Sequence, residues 1–251
     1  MITIAVQCHN FQRRFCWMLS SLAQQTKAGL AAVTVDVAHM PGNGTPTVEE
    51  MQREFSTVKI RRTEWTNYEE FQLRGLIRNR QLKECETEWL MFSDSDMVYH
   101  PEYFERLMQE LNTNHAKANY MLSSGRSSNP KEEGNALVDG MVAALPYIPA
   151  AFETAGKLTR IPKQNVGAGF CQIINMKHCP HGGYYVDPTK NKDWSWNRKF
   201  GFNPRSDMQF RWRLNDAGSG RRALPHWFSH NAIHLNHDRD PDAGKHLDTQ
   251  R

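Results

Sequence analysis

The apolar positions of this chain switch repeatedly between two spacings. Ile2-Thr3-Ile4-Ala5-Val6 is a short apolar run that predicts a buried strand. A polar turn over residues 7–10 follows. Phe15, Met18, Leu19 and Leu22 then recur at helical intervals and predict a helix over 15–25. A β-rich run over 32–37 comes next, stopped by Pro41-Gly42-Asn43-Gly44, a strong turn sequence. Residues 58–60 predict a third short strand. Phe71, Ile77 and Leu82 mark an apolar face on one helix over 68–85. Residues 88–93, Glu-Trp-Leu-Met-Phe-Ser, predict another strand, which runs directly into Asp94-Ser95-Asp96. A helix is expected over 101–111, with Pro101 suited to its first turn.

The second half is less regular. A strand is expected at 121–124. Residues 124–135, rich in Ser, Gly, Asn and Pro, read as a loop. Small residues from Gly167 lead into an apolar strand over 170–174. Residues 180–204 form a long aromatic, glycine-containing stretch, expected to be a loop over a functional site. Residues 207–214 predict a helix. No repeat, low-complexity tract or composition break divides the chain, so one domain over 1–251 is expected. Strands alternating with helices imply βαβ units and a mainly parallel sheet. Ligands of such sheets lie at the carboxyl ends of the strands, where Asp94 and Asp96 fall.

Composition narrows the partners. The net charge of +4 suits a site that receives phosphates, but it is too small to argue for nucleic acid. The five cysteines form no CxxC pair and read as reduced, buried thiols. The first residues lack the basic stretch and long apolar core of a signal peptide, and no apolar run approaches the ~20 residues that span a bilayer. Together these features read as a cytoplasmic protein.

Three segments carry candidate chemistry. Two carboxylates on alternate residues after a buried strand can converge on one hard cation, so Asp94 and Asp96 suit Mg²⁺ or Mn²⁺. Such a cation neutralises a diphosphate as it leaves. The second segment is Ile233-His234-Leu235-Asn236-His237-Asp238-Arg239-Asp240, whose alternation can set a histidine at a strand end; His234 and His237 compete as the metal ligand. His226, His230, His234 and His237 recur at helical spacing, but no His-Glu-x-x-His motif is present. The third is Asp207, at the start of the 207–214 helix. There a carboxylate is favourable against the helix dipole and is also positioned as a general base.

Together these segments resemble the GT-A glycosyltransferases, especially family 2 and its relatives among galactosyltransferases and chondroitin-type polymerases. Residues 2–10 look like the family's first strand, with His9-Asn10 at its end. Residues 33–37 look like the second strand, which sets Asp36 near the acidic residue that reads the nucleotide base. Arg78-Asn79 resembles the Ala-Arg-Asn helix start near the diphosphate. Asp94-Ser95-Asp96 matches the Asp-x-Asp signature, and Gly201 to Leu214 is similar to the Gly-Trp-Gly-Glu-Asp segment, with Asp207 on the catalytic Asp. His237-Asp238 looks like the late metal-binding segment. Two departures stand out. Ser206 replaces the usual Glu, and the second strand lacks an Asp-Asp-Gly-Ser ending.

The resemblance implies a GT-A fold with a mainly parallel central sheet and a small antiparallel part. It implies a nucleotide-sugar-binding half over 1–120 and an acceptor-binding half over 121–251. The expected reaction moves a sugar from a nucleoside-diphosphate sugar, UDP being the commonest, to a saccharide or other hydroxyl acceptor with inversion. Asp36, Arg78, Asn79 and Asp94 would hold the donor; Asp94, Asp96 and His237 the Mn²⁺ or Mg²⁺; Asp207 would act as base. Trp194 and Trp196 would stack on acceptor sugar faces.

Other classes fit less well. A nucleotidyltransferase carries a glycine-rich basic loop after its first strand, and residues 7–14 lack the glycines. A non-enzymatic sugar- or nucleic-acid-binding module does not need Asp96, Asp207 and His237 together. A nucleic-acid acceptor, such as a hydroxymethylated base, would use Arg205, Arg211, Arg213, Arg221 and Arg222 with Trp212 and Trp227 interleaved; it is possible but not favoured.

Overall fold

The computed structural model describes residues 1–9, 12–44, 46–114, 120–122, 127–144, 150–154, 159–160, 171–177 and 221–236. The chain begins with β1 (Ile2–Gln7), α1 (Gln12–Ala23), α2 (Lys27–Ala32) and β2 (Val33–His39). It continues through α3 (Val48–Glu54), β3 (Ile60–Glu64), α4 (Tyr68–Phe71) and α5 (Arg74–Glu84) to β4 (Trp89–Phe92). Then come β5 (Met97–Tyr99), α6 (Tyr103–Asn114), β6 (Tyr120–Leu122), β7 (Ser127–Ser128), α7 (Lys131–Ala144), α8 (Ala151–Thr154) and β8 (Thr159–Arg160). The remaining described elements are β9 (Gln172–Asn175), β10 (Arg221–Ala223), α9 (His226–His230) and β11 (Ala232–His234).

The main sheet has the order β10-β6-β9-β4-β1-β2-β3. β4, β1, β2 and β3 are mutually parallel; β9 runs against both β4 and β6. A smaller sheet, β5-β11-β7-β8, mixes both senses. This is the expected α/β architecture. The apolar runs are continuous because both faces of the central strands are covered. Ile2, Ile4, Val35, Val37 and Met91 pack on one side with Phe15, Met18 and Leu22 of α1. Ala5, Leu90, Phe92 and Ile174 pack on the other with Leu82 of α5. Each of the Ile, Leu, Val, Met and Phe side chains among them contributes about 1.5–3 kcal/mol when fully buried.

Several boundaries depart from the sequence reading. The helix expected over 68–85 is two. Asn67 caps α4 by accepting from the Glu70 N–H, and Leu73 leaves helical geometry with ψ of 84° before α5 begins. The break lets Phe71 and Ile77 bury together against Ala38 and Trp65. The third strand lies at 60–64 rather than 58–60. Its residues, Ile-Arg-Arg-Thr-Glu, are mostly polar because it is the sheet edge.

The loop expected over 124–135 instead holds β7 and the first turn of α7. Pro130 precedes the helix and Glu132 and Glu133 favour its first turn. Gly134, read as a loop residue, lies within α7, and another segment crosses it closely: a Cβ there would lie 1.7 Å from the Asn236 carbonyl oxygen. The turn at 41–44 is as expected, with positive φ at Gly42 and Gly44. The stretch over 180–204 and the helix over 207–214 lie outside the described residues.

Candidate functional site

The site is built where β4 ends. Strand β4 is buried throughout, and its pairing with β1 extends one residue further through the Ser93 N–H, which donates to the Ala5 carbonyl at 3.0 Å. The chain then turns through Asp94 and Ser95 to Asp96 and enters β5. Strand β5 pairs with β11, which sets Met97 opposite His234. The Leu235 N–H donates to the Asp96 carbonyl at 2.9 Å. Two strands over a hundred residues apart therefore meet at Asp96.

Their side chains meet as well. His234 Nε2 lies 3.1 Å from Asp96 Oδ2. Asp96 is 9% exposed, whereas Asp94 is half-buried. A buried carboxylate beside an imidazole is an oxygen-and-nitrogen pair that suits a hard or borderline divalent cation. Asp94 stands two residues earlier in the turn, and its carboxylate does not close a three-ligand group with the two of them.

The turn is braced from inside. Ser93 Oγ and the Tyr99 hydroxyl are 2.7 Å apart. Burial pushes the Tyr99 phenol well above its ordinary pKa, so it stays protonated and able to donate. Tyr99 packs in turn on Tyr103 and Phe104. The His234 segment is braced from outside. Ser128 Oγ donates to the His234 carbonyl at 3.1 Å, and the Asn236 N–H donates to Asn129 Oδ1 at 2.8 Å. Gly134 leaves the room in which Asn236 passes. Ser128, Asn129 and Gly134 escaped the sequence reading because their partners are distant in the chain.

The other expected site residues divide into three groups. Arg78 and Asn79 stand on α5. Arg78 is buried, with its guanidinium carbon 4.8 Å from the ring centre of Phe92, so it brings positive charge to the end of β4. Asn79 is half-buried. Asp36 is in the interior of β2 and fully buried. It accepts from Arg61 Nη2 at 2.5 Å and from Thr63 Oγ1 at 2.7 Å, which ties β2 to β3. The residue at the carboxyl end of β2 is His39. Asp207, His237, Trp194 and Trp196 lie outside the described residues. Trp227, weighed as part of a nucleic-acid surface, packs instead against Tyr103, Phe228 and the Arg106 guanidinium.

Comparison with known proteins bears on the fold. The family described as Glycosyl transferase family 2 matches residues 69–183, a span that contains Arg78, Asn79, Asp94 and Asp96. No curated protein matches the chain. Among solved structures, S. aureus TarS 1-349 in complex with UDP-GlcNAc aligns at 13% identity with a TM-score of 0.61, covering 100% of this chain and 61% of that one. TarS 1-349 in complex with UDP aligns at 14% identity and a TM-score of 0.57, covering 92% and 59%. The mannosyltransferase PcManGT from Pyrobaculum calidifontis, in complex with GDP-Man and Mn²⁺, aligns at 12% and 0.57, covering 98% and 59%. The chain thus spans about three fifths of the length of these structures. Among the described residues no helix is long and apolar enough to cross a membrane. With a mainly parallel sheet and an Asp-x-Asp turn at the end of β4, the chain has the fold of the aligned GT-A glycosyltransferases, and its residues 69–183 match the model of glycosyl transferase family 2.

Proposed function

We propose that this chain transfers a sugar from a nucleoside-diphosphate sugar, UDP-linked in the first instance, to an acceptor hydroxyl. The observation that carries the proposal is the meeting of Asp96 and His234 at the carboxyl end of β4, two residues after Asp94. The ligands bound in the aligned structures, UDP, UDP-GlcNAc and GDP-Man with Mn²⁺, support a donor of this class.

Asp94, Asp96 and one histidine of the late segment would hold Mn²⁺ or Mg²⁺. His234 is the better-supported ligand because it already faces Asp96; His237 is the alternative. When bound, the cation supplies charge neutralisation for a departing diphosphate. The protein's own residues do the rest. Arg78 lends fixed positive charge near the diphosphate, and Asn79 a hydrogen-bonding amide. Asp94 orients the donor beside its ribose. Asp207 takes the proton from the acceptor hydroxyl, which attacks the anomeric carbon opposite the leaving group and inverts it. The C1–O bond to the diphosphate breaks as the new C1–O bond forms. Residues 1–120 would serve the donor and 121–251 the acceptor, with Trp194 and Trp196 as sugar-stacking faces. The absence of any bond among Cys8, Cys16, Cys85 and Cys171 supports a cytoplasmic setting.

A panel of nucleotide sugars, assayed for nucleoside-diphosphate release with Mn²⁺ and with chelator, tests the proposal. Release from one donor, dependent on metal and lost in folded Asp96→Ala, is the expected outcome. Equal release by Asp96→Ala in chelator would remove the metal mechanism.

A further inference from the structure

The carboxyl ends of β2 and β3 hold a second group of metal-type side chains. His39 is the last residue of β2 and pairs in register with Glu64, the last of β3. Glu49 reaches them from the first turn of α3, where the Thr47–Glu50 capping box fixes the helix start. One ligand atom from each of His39, Glu49 and Glu64 lies within 4.8 Å of the others.

Carboxylates cluster without holding a cation, and these two alone carry nothing. The imidazole changes the case. His39 is 1% exposed, and neither ring nitrogen makes a well-aligned hydrogen bond to a described residue, the Met40 backbone offering only a weaker contact. Its Nδ1 is 3.8 Å from Glu49 Oε1, beyond hydrogen-bond reach. Glu49 Oε2 is likewise buried with no hydrogen-bond partner among the described residues. A buried polar ring in this state is costly, and it is aimed at two carboxylates. An imidazole in its neutral form offers a nitrogen lone pair to a cation. A neutral imidazole with two carboxylates is a donor set for Zn²⁺.

Arg62 is the resident counter-charge. Its guanidinium lies 3.1 Å from Glu49 Oε1 and 3.6 Å from Glu64 Oε1. Its side chain is 32% exposed, so it can turn to solvent when a dication enters. Two carboxylates then balance two positive charges. Glu64 is about half exposed, which leaves a path for the ion and a coordination position for solvent.

We propose that His39, Glu49 and Glu64 form a zinc-type cation site separate from Asp94 and Asp96, with the ion exchanging against the Arg62 guanidinium. An occupied site clamps the ends of β2 and β3 to α3. It does not depend on the transfer reaction.

The test is calorimetric titration of Zn²⁺ alone into the full chain after chelator treatment, with folding of every variant checked by circular dichroism. Wild type and Asp96→Asn should share a Zn²⁺ site that His39→Gln binds at least roughly 10-fold more weakly. Zn²⁺ should raise the melting temperature of wild type but not of His39→Gln. Glu64→Gln, at a surface position that tolerates change, should weaken binding as well. Arg62→Ala should strengthen it, because a competing cation is gone; a purely structural role for the cluster predicts no such gain. Unchanged binding in His39→Gln and Glu64→Gln, weaker binding in Arg62→Ala, or no binding by wild type overturns the proposal. Zinc lost only in Asp96→Asn assigns the ion to the aspartate pair and overturns it too.

Discussion

Replacing Gly134 by alanine tests how the late segment is held at the site. In an ordinary helix interior this change stabilises by about 1 kcal/mol, since glycine is the poorer helix former. Here the added Cβ would sit 1.7 Å from the Asn236 carbonyl oxygen, 2.8 Å from its carbonyl carbon and 2.8 Å from Asn129 Nδ2. Reaching ordinary contact at 3.4 Å requires a separation of about 1.7 Å between α7 and the crossing segment. The obstacle is backbone, so a side-chain rotation cannot relieve it. Overpacking of this kind costs about 1–3 kcal/mol. Loss of the Asn236–Asn129 hydrogen bond adds about 1 kcal/mol. The net expectation is a loss of roughly 1–3 kcal/mol after the helix gain is set against these costs. The shift would also move His234, whose carbonyl and following residues are held by Ser128, Asp96 and Asn129. Urea unfolding reads the stability, and Mn²⁺ affinity in the presence of donor reads the site. Gly134→Ala should lower both. A variant as stable as wild type, with unchanged Mn²⁺ affinity, would refute the crossing at Gly134.

Two further perturbations separate structure from chemistry. Asp36→Asn should destabilise the fold by about 1–3 kcal/mol in urea unfolding, because a fully buried carboxylate loses its charge-assisted bond to Arg61. If Asp36 instead reads the nucleotide base, the same change alters donor affinity while leaving the unfolding midpoint in place. The second concerns pH. Burial depresses the His39 pKa below 6.5, so the unfolded chain binds this proton more readily than the folded one. Its contribution to stability is therefore whole above pH 6.5 and declines as pH falls towards the folded value. Metal-free unfolding curves between about pH 7.5 and 5 should show that loss, with a shallower slope in His39→Gln. His100, also depressed by burial, keeps part of the slope in the variant.

Much of the fold was legible because the central strands carry their own signal. β4 is wholly apolar, and β1 and β2 are rich in Ile, Val and Ala, so their positions needed no tertiary information. The turn at 41–44 and the Asp-x-Asp at the end of β4 followed from the same pattern. The polar elements were harder. Strand β3 is stabilised through Arg61 and Thr63 bonding to Asp36, and its side chains give no apolar alternation. α3 was missed, although Thr47-Val48-Glu49-Glu50 has capping-box spacing and the reciprocal bonds form. The small sheet could not be read locally, because β5, β7, β8 and β11 are two or three residues long and meet only through distant pairing. For the same reason the sequence favoured His237 as the metal ligand and left His234 as its competitor. The pairing of β11 with β5 is what brings His234 to Asp96.

The central claim is that Asp96 belongs to a cation site used together with a nucleoside diphosphate. Electron paramagnetic resonance of Mn²⁺ titrated in the presence of UDP measures this directly. Wild type should take up one Mn²⁺ per chain with UDP present, and Asp96→Asn should bind it roughly 100-fold more weakly while keeping its fold. Equal Mn²⁺ uptake by the two proteins, or uptake by wild type indifferent to UDP, would contradict the account.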